Sequence, residues 1–163
     1  MATEDLIITG YTTRDHLLLD LDDTTLSKVS RVVKLIMERW PETGDCLVLL
    51  SSEKPMSTRI KYSWNNTPYM ERKGSSYHLV FDGRIGWNKA AHICETLAGL
   101  KILQKDYEKI RSFRGDMTLR VSGALLSTGY KAPPYCVVGI KNKGYDGSGD
   151  GIEDYLRLRG TLL

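Results

Sequence analysis

His16-Leu17-Leu18-Leu19-Asp20-Leu21-Asp22-Asp23 is the stretch on which the reading of this chain turns. A short, continuous apolar run suits a strand covered on both faces. Side chains on a strand alternate, so Asp20 and Asp22 point to the same side. Two carboxylates held that close repel each other, and a divalent cation between them would remove the repulsion. The plainer reading ends the strand in a polar turn at Asp22-Asp23-Thr24-Thr25, with Thr25 or Ser27 capping the next helix.

Outward from this stretch the pattern alternates. Val29, Val32, Val33, Ile36, Met37 and Trp40 fall at helical spacing, and Pro41 stops that helix. Cys46 to Leu50 reads as a second buried strand, ending at Ser51-Ser52. Residues 53–74 read as a basic hairpin or irregular excursion carrying Tyr62, Trp64 and Tyr69. Tyr77 to Phe81 is a third strand, and Asn88 to Leu100 an amphipathic helix. A shorter helical piece covers about 107–113. Thr118 to Val121 and Tyr135 to Ile140 are further strands. Lys143 to Gly151, rich in Gly, Ser and Asp, reads as a mobile loop, and a last helix covers Ile152 to Arg159. With 163 residues and no internal repeat or linker, the expectation is one α/β or α+β domain.

Composition excludes more than it selects. No apolar run is long enough to span a bilayer, and Met1 to Asp5 does not open a secretory leader. Cys46, Cys94 and Cys136 are scattered without metal-ligand spacing, which suits reduced thiols in a cytoplasmic protein. A net charge of +3 is too small to indicate nucleic-acid binding by itself. Its distribution says more. Carboxylates dominate the first 25 residues; Lys54, Arg59, Lys61, Arg72, Lys73 and Arg84 follow, then Lys101, Lys105, Lys109, Arg111, Arg114 and Arg120. Separated acidic and basic regions suit a site that binds both metal and phosphate.

Two more stretches carry chemistry. Gly74-Ser75-Ser76-Tyr77-His78 places an imidazole at the entrance to an apolar strand, after a turn whose N–H groups are able to cradle phosphate. His16 and His92 read as structural. Asp116-Met117-Thr118-Leu119-Arg120-Val121-Ser122-Gly123 sets a carboxylate before a strand and an arginine within it, with Lys131 beyond a Ser-Thr-Gly-Tyr turn. The acid would complete a metal site while the bases grip phosphates.

In order and local context, Asp20-Leu21-Asp22, Ser76-Tyr77-His78 and Asp116 with Arg120 and Lys131 resemble the three motifs of the archaeo-eukaryotic primase, or primase-polymerase, superfamily. The resemblance covers roughly residues 15–135. It implies a single α+β domain over 1–163: an RRM-like primase-polymerase core with a mixed or antiparallel sheet and flanking helices. The implied activity is template-directed nucleotidyl transfer, used in DNA replication. Asp20, Asp22 and Asp116 would be the catalytic metal ligands for two Mg2+ or Mn2+ ions. Ser75, Ser76, His78, Arg120 and Lys131 would bind the nucleotide. The implied partners are nucleoside triphosphates, a single-stranded DNA or RNA template, and a second primase subunit or a helicase, with no membrane. Tyr62, Trp64 and Tyr69 either stack on that template or pack the hairpin on the core.

Two alternatives stand beside this. Asp20-Leu21-Asp22-Asp23-Thr24 also resembles the first motif of haloacid-dehalogenase-type phosphatases, with Asp20 as nucleophile, the strand ending at Ser51 as second motif and Asp150 to Asp154 as the acidic last motif. The other is a non-catalytic nucleic-acid-binding module of primase-like fold.

Overall fold

The computed structural model describes residues 10–55, 57–100, 102, 117–126 and 129–161. Its elements are β1 (Gly10–Thr13), β2 (Leu18–Thr24), α1 (Leu26–Arg39), β3 (Cys46–Ser52), β4 (Ser57–Tyr62), β5 (Pro68–Lys73), β6 (Ser75–Phe81), α2 (Trp87–Gly99), β7 (Met117–Arg120), β8 (Ala124–Leu126), β9 (Gly129–Lys131), β10 (Tyr135–Ile140) and α3 (Gly151–Thr161). Every strand pairing among the described residues is antiparallel, and the class is α+β. The helix expected near 107–113 lies outside the described residues.

The main sheet runs β10-β3-β6-β2, while β1 pairs with β7, β4 with β5 and β8 with β9. The Leu18 N–H reaches Met117 Sδ at 3.3 Å, which brings β7 alongside the start of β2. Leu17, Leu18, Leu19, Val48, Leu49, Leu79 and Val80 are all inaccessible to solvent. The central strands are therefore covered on both faces, which is why they read as runs and not as alternation. Each such side chain contributes about 1.5–3 kcal/mol by leaving water.

Local chemistry sets the element ends. Thr25 caps α1, its Oγ1 accepting from the Lys28 N–H at 3.3 Å. Helix α1 stops before Pro41 and buries Val29, Val33, Ile36 and Met37. Residues 141–150 are irregular but anchored, not the loose loop that their composition suggests. The Asn142 N–H donates to Asp45 Oδ1 at 2.8 Å, and its side-chain amide donates to the Pro41 carbonyl at 2.9 Å. Tyr145 OH donates to Asp82 Oδ2 at 2.9 Å and accepts from the Gly149 N–H at 2.6 Å. Gly149 and Gly151 permit the close approach that follows: a Cβ on either would collide with the carbonyl of Asp82 or Phe81. Asp82 Oδ1 then accepts from the Ile152 N–H at 3.1 Å and fixes the start of α3.

No helix among the described residues is long and apolar enough to cross a membrane. Cys46 and Cys94 are buried and Cys136 is exposed.

Candidate functional site

The register of β2 against β6 builds the site. It sets Leu18 opposite Val80 and Asp20 opposite His78. On the other side of β6, His78 faces Leu49, and Leu49 faces Cys136 on β10. Asp20, His78, Leu49 and Cys136 thus form one row across four strands, with side chains on one face. Beyond Leu21 the ladder slips. Leu21 pairs with Tyr77 and Thr24 with Ser75, so Asp22 and Asp23 together oppose Ser76. This is a β-bulge, with Asp23 in the left-handed region at φ 53° and its Oδ1 accepting from the Gly74 N–H at 3.3 Å. The bulge interrupts the pairing just past Asp20, takes in Asp22 and leaves it exposed.

Asp20 is costly where it stands. Burial first, and then the Asp22 carboxylate, lift its carboxyl to about 7 against the partial opposition of Lys131 and Arg120. Asp20 Oδ1 is buried without a hydrogen-bond partner. His78 Nε2 lies 3.7 Å away, beyond hydrogen-bond reach. Burial drives the imidazole of His78 down to about 3, and the Arg120 and Lys131 cations push the same way. His78 is therefore neutral at pH 7, and its Nδ1 also lacks a partner.

Arg120 is the fixed cation of the group. Its guanidinium donates to the carbonyls of Ala132 at 3.0 Å, Ser51 at 3.5 Å and Ser122. Those bonds tie the end of β7 to the end of β3 and to the chain after β9. Lys131 closes β9 and lies within electrostatic reach of both Asp20 and His78.

The structure thus brings Asp20, Asp22, His78, Arg120 and Lys131 together. Ser76 alternates onto the same face as His78, and its carbonyl accepts from Ser51 Oγ at 3.3 Å. Ser75 alternates to the other face. Its hydroxyl accepts from the Lys54 N–H at 3.0 Å and donates to the Lys54 carbonyl at 3.2 Å, so it closes the hairpin base instead of joining the site. Asp116 lies outside the described residues. Among the described residues no three His, Cys, Asp or Glu side chains converge as a metal-binding group.

Asp150 and Asp154 do not stand beside Asp20. Asp150 accepts from Arg84 at 2.5 Å and sits 2.6 Å from His16 Nε2, which holds its carboxyl below the usual range; Asp154 pairs with Arg157 at 3.7 Å. His16 is buried and bonded through Nδ1 to Thr13 Oγ1 at 2.9 Å. His92 stacks edge-on against Trp40 on the helical side.

Two residues near the site carried no sequence signal. Tyr155 on α3 is fully buried, packs edge-on against Tyr11 and has an unpartnered hydroxyl within electrostatic reach of Arg159 and Arg120. Arg159 donates to Cys136 Sγ at 3.4 Å, at the far end of the Asp20 row, and its buried Nε has no partner. In the sequence both look like ordinary positions of a short amphipathic helix. All four orphaned side-chain atoms among the described residues belong to Asp20, His78, Tyr155 and Arg159. Comparison with protein-family models, curated proteins and solved structures finds no match.

Proposed function

We propose that the chain is a cytoplasmic, template-directed nucleotidyltransferase with a primase-polymerase-like core. The observation that carries this reading is the row in which a destabilised carboxylate faces a neutral histidine, with Arg120 and Lys131 beside them. The strand order supports it as well. With the β4–β5 hairpin set aside, the chain runs β2-α1-β3-β6-α2-β7, with β3, β6 and β2 adjacent in one sheet and β7, paired with β1, packed beside the edge strand β2. That order supports a β-α-β-β-α-β, RRM-like reading, with β10 added to the sheet beyond β3.

The residues present fit a divalent cation. Asp20 Oδ1 is buried and unsatisfied, and Asp22 repels it; a cation would relieve both. Asp20 and Asp22, with Asp116 as the third ligand, would hold Mg2+ or Mn2+. Bound there, such ions would supply charge for an attacking hydroxyl and for a triphosphate. The chain's own groups do the rest. His78, held neutral, donates one hydrogen bond to a phosphate oxygen without adding charge. Arg120, braced by three carbonyls, presents a positioned guanidinium, and Lys131 adds a second cation. Ser76 lies on the same face, while Ser75 has no part in this assignment. A second primase subunit or a helicase would complete the assembly.

The test is primer extension on a single-stranded template with magnesium or manganese, beside hydrolysis of a generic phosphate ester. Incorporation is expected, and Asp20→Asn, Asp22→Asn and Asp116→Asn are each expected to abolish it. Ester hydrolysis lost with Asp20→Asn, with no incorporation, would assign the phosphatase chemistry instead. That second class is disfavoured because its acidic last motif is engaged with His16, Arg84 and Arg157. Nucleic-acid binding with neither activity would leave a non-catalytic module.

A further inference from the structure

The β4–β5 hairpin is the most apolar exposed feature among the described residues. Its register pairs Arg59 with Glu71, Ile60 with Met70, Lys61 with Tyr69 and Tyr62 with Pro68. Alternation therefore gives the ribbon two unlike faces. One carries Ile60, Tyr62, Pro68 and Met70, with Ile60 62%, Tyr62 67% and Met70 64% exposed. The other carries Arg59, Lys61 and Lys73 around a single carboxylate, Glu71, at 3.3, 2.8 and 3.8 Å, with Tyr69 beside them. The expectation that these aromatic rings pack the hairpin onto the core is not met.

The tip is ordered by its own bonds. The Ser63 N–H donates to the Thr67 carbonyl at 3.0 Å, the Asn66 N–H to the Ser63 carbonyl at 2.9 Å, and the Thr67 N–H to Asn65 Oδ1 at 3.3 Å. Asn66 adopts the left-handed conformation that the turn needs, at φ 62°. This turn holds Trp64 out in solvent, 96% exposed. Tyr62, Trp64 and Tyr69 consequently surround the distal end of the ribbon. Residues 53–74 contain five Lys or Arg and two Glu, a net +3 equal to that of the whole chain.

We infer that the hairpin is a binding arm for single-stranded nucleic acid, on which bases stack against Tyr62, Trp64 and Tyr69 while phosphates track Arg59, Lys61 and Lys73. Size and charge decide the occupant. Six residues of two paired strands span about 20 Å by 10 Å, so the apolar face offers about 200 Å². A stable second copy or folded partner needs about 800 Å² on each side. A few nucleotides need no more than the arm supplies, since exposed rings stack on any base and cations follow any backbone. The three cations sharing one carboxylate leave a net positive face opposite the apolar one. This inference rests on the proposed transferase reading for its biological setting. Its test uses neither nucleoside triphosphate nor metal, so the two fail separately.

The experiment is fluorescence anisotropy of labelled (dT)12, (rU)12 and a 12-base-pair duplex with the full chain in EDTA, across a salt titration. Expected is single-strand binding in preference to duplex, with a log–log salt slope of about −1 to −2 for two or three neutralised phosphates. Trp64→Ala is expected to weaken it about tenfold and Trp64→Phe to retain most of it, with the thermal midpoint unchanged because the ring touches solvent. Tyr62→Ser combined with Trp64→Ala should weaken it further. The DNA and RNA arms identify which strand is preferred. Equal affinity in wild type and the double variant would overturn the inference, as would equal binding of duplex and single strand. So would a dimer in sedimentation that Tyr62→Ser dissociates.

Discussion

Asp20 and His78 face each other with opposite titration costs, and substituting each alone should separate them. Folding raises the Asp20 carboxyl from 3.8 to about 7. A carboxyl held above its unfolded value favours the folded state only while it is protonated. Its contribution is complete below pH 3.8 and has gone once the pH passes about 7. At about 1.4 kcal/mol per pH unit the full rise is worth about 4 kcal/mol. Asp20's side chain is 35% exposed, and solvent screening reduces this to about 2 kcal/mol. His78 runs the other way. Its imidazole falls from 6.5 to about 3, so it favours the folded state only while neutral. That contribution is complete above pH 6.5 and is lost as the pH falls through about 3. At 7% exposure His78 keeps most of its effect, about 4 kcal/mol. Across roughly pH 4 to 6.5 the two slopes oppose each other and partly cancel in the wild type.

Urea unfolding between pH 4 and 8, at fixed ionic strength and with EDTA to keep divalent ions away, reads both. Relative to wild type, Asn at position 20 should gain stability as the pH rises, reaching an advantage of about 2 kcal/mol by pH 8. His78→Gln should show the mirror image, gaining relative stability toward pH 4 after a constant packing loss. Other carboxylates contribute to every variant alike and drop out of the differences. A difference between Asp20→Asn and wild type that stays flat across this range would refute the reasoning. It would mean that the carboxylate is neither desolvated nor repelled in the folded chain.

Arg120→Lys keeps the charge but replaces the guanidinium fork that spans the carbonyls of Ser51, Ser122 and Ala132 with a single ammonium nitrogen; thermal or urea unfolding should show a loss of about 2 kcal/mol. Gly149→Ala drives a Cβ into the Asp82 carbonyl and the Tyr145 hydroxyl, and should cost about 2 kcal/mol or more and slow-exchange protection at the Ile152 amide, read by hydrogen exchange. Tyr155→Phe removes a buried, unpartnered hydroxyl but keeps the ring against Tyr11, so unfolding should show a gain of about 1 kcal/mol.

What the sequence made legible follows its range of interaction. Long apolar patterns located α2, β10 and α3 nearly to the residue and α1, β3 and β6 in the main, while β2 runs on past its leucines to Thr24; Pro41 marked the end of α1, and Thr25, one of two candidate caps, its start. Strand β1, Gly10-Tyr11-Thr12-Thr13, and the three-residue strands β8 and β9 escaped because such short or polar pieces carry no period to detect. The loop after β10 was misread for a related reason. Its Gly, Ser and Asp content is a local signal, whereas Asp45 and Asp82, which anchor it, flank β3 and β6, far away in sequence. At the site, the closeness of Asp20 and Asp22 was legible since both lie on one strand, although the bulge that takes in Asp22 was not. That Asp20 would face His78 depends on the register of β2 against β6, which no stretch of either strand states. The aromatic hairpin could be located from sequence but not oriented, because whether a ribbon leans on the core is decided by what lies beneath it.

The cost at position 78 is itself an argument about chemistry. His78 sits between Tyr77 and Leu79 on a central strand, with Leu49 beside it across the sheet, and it is 5% exposed. A leucine there would continue the apolar pattern of β6, bury no polar atom and remove the low-pH penalty. The imidazole instead leaves Nδ1 unsatisfied and sets Nε2 3.7 Å from a carboxylate oxygen that is also unsatisfied. Packing gains nothing from either atom. Both become useful together if a ligand carrying phosphate oxygens and a divalent cation enters between them, since one such ligand satisfies the histidine as donor and the carboxylate as acceptor. If that is their purpose, tripolyphosphate with manganese should stabilise the wild type against urea by more than the separate effects of either alone, and His78→Gln should abolish the excess while leaving the effect of manganese alone. Additivity in the wild type would show that the two orphaned groups do not share a ligand.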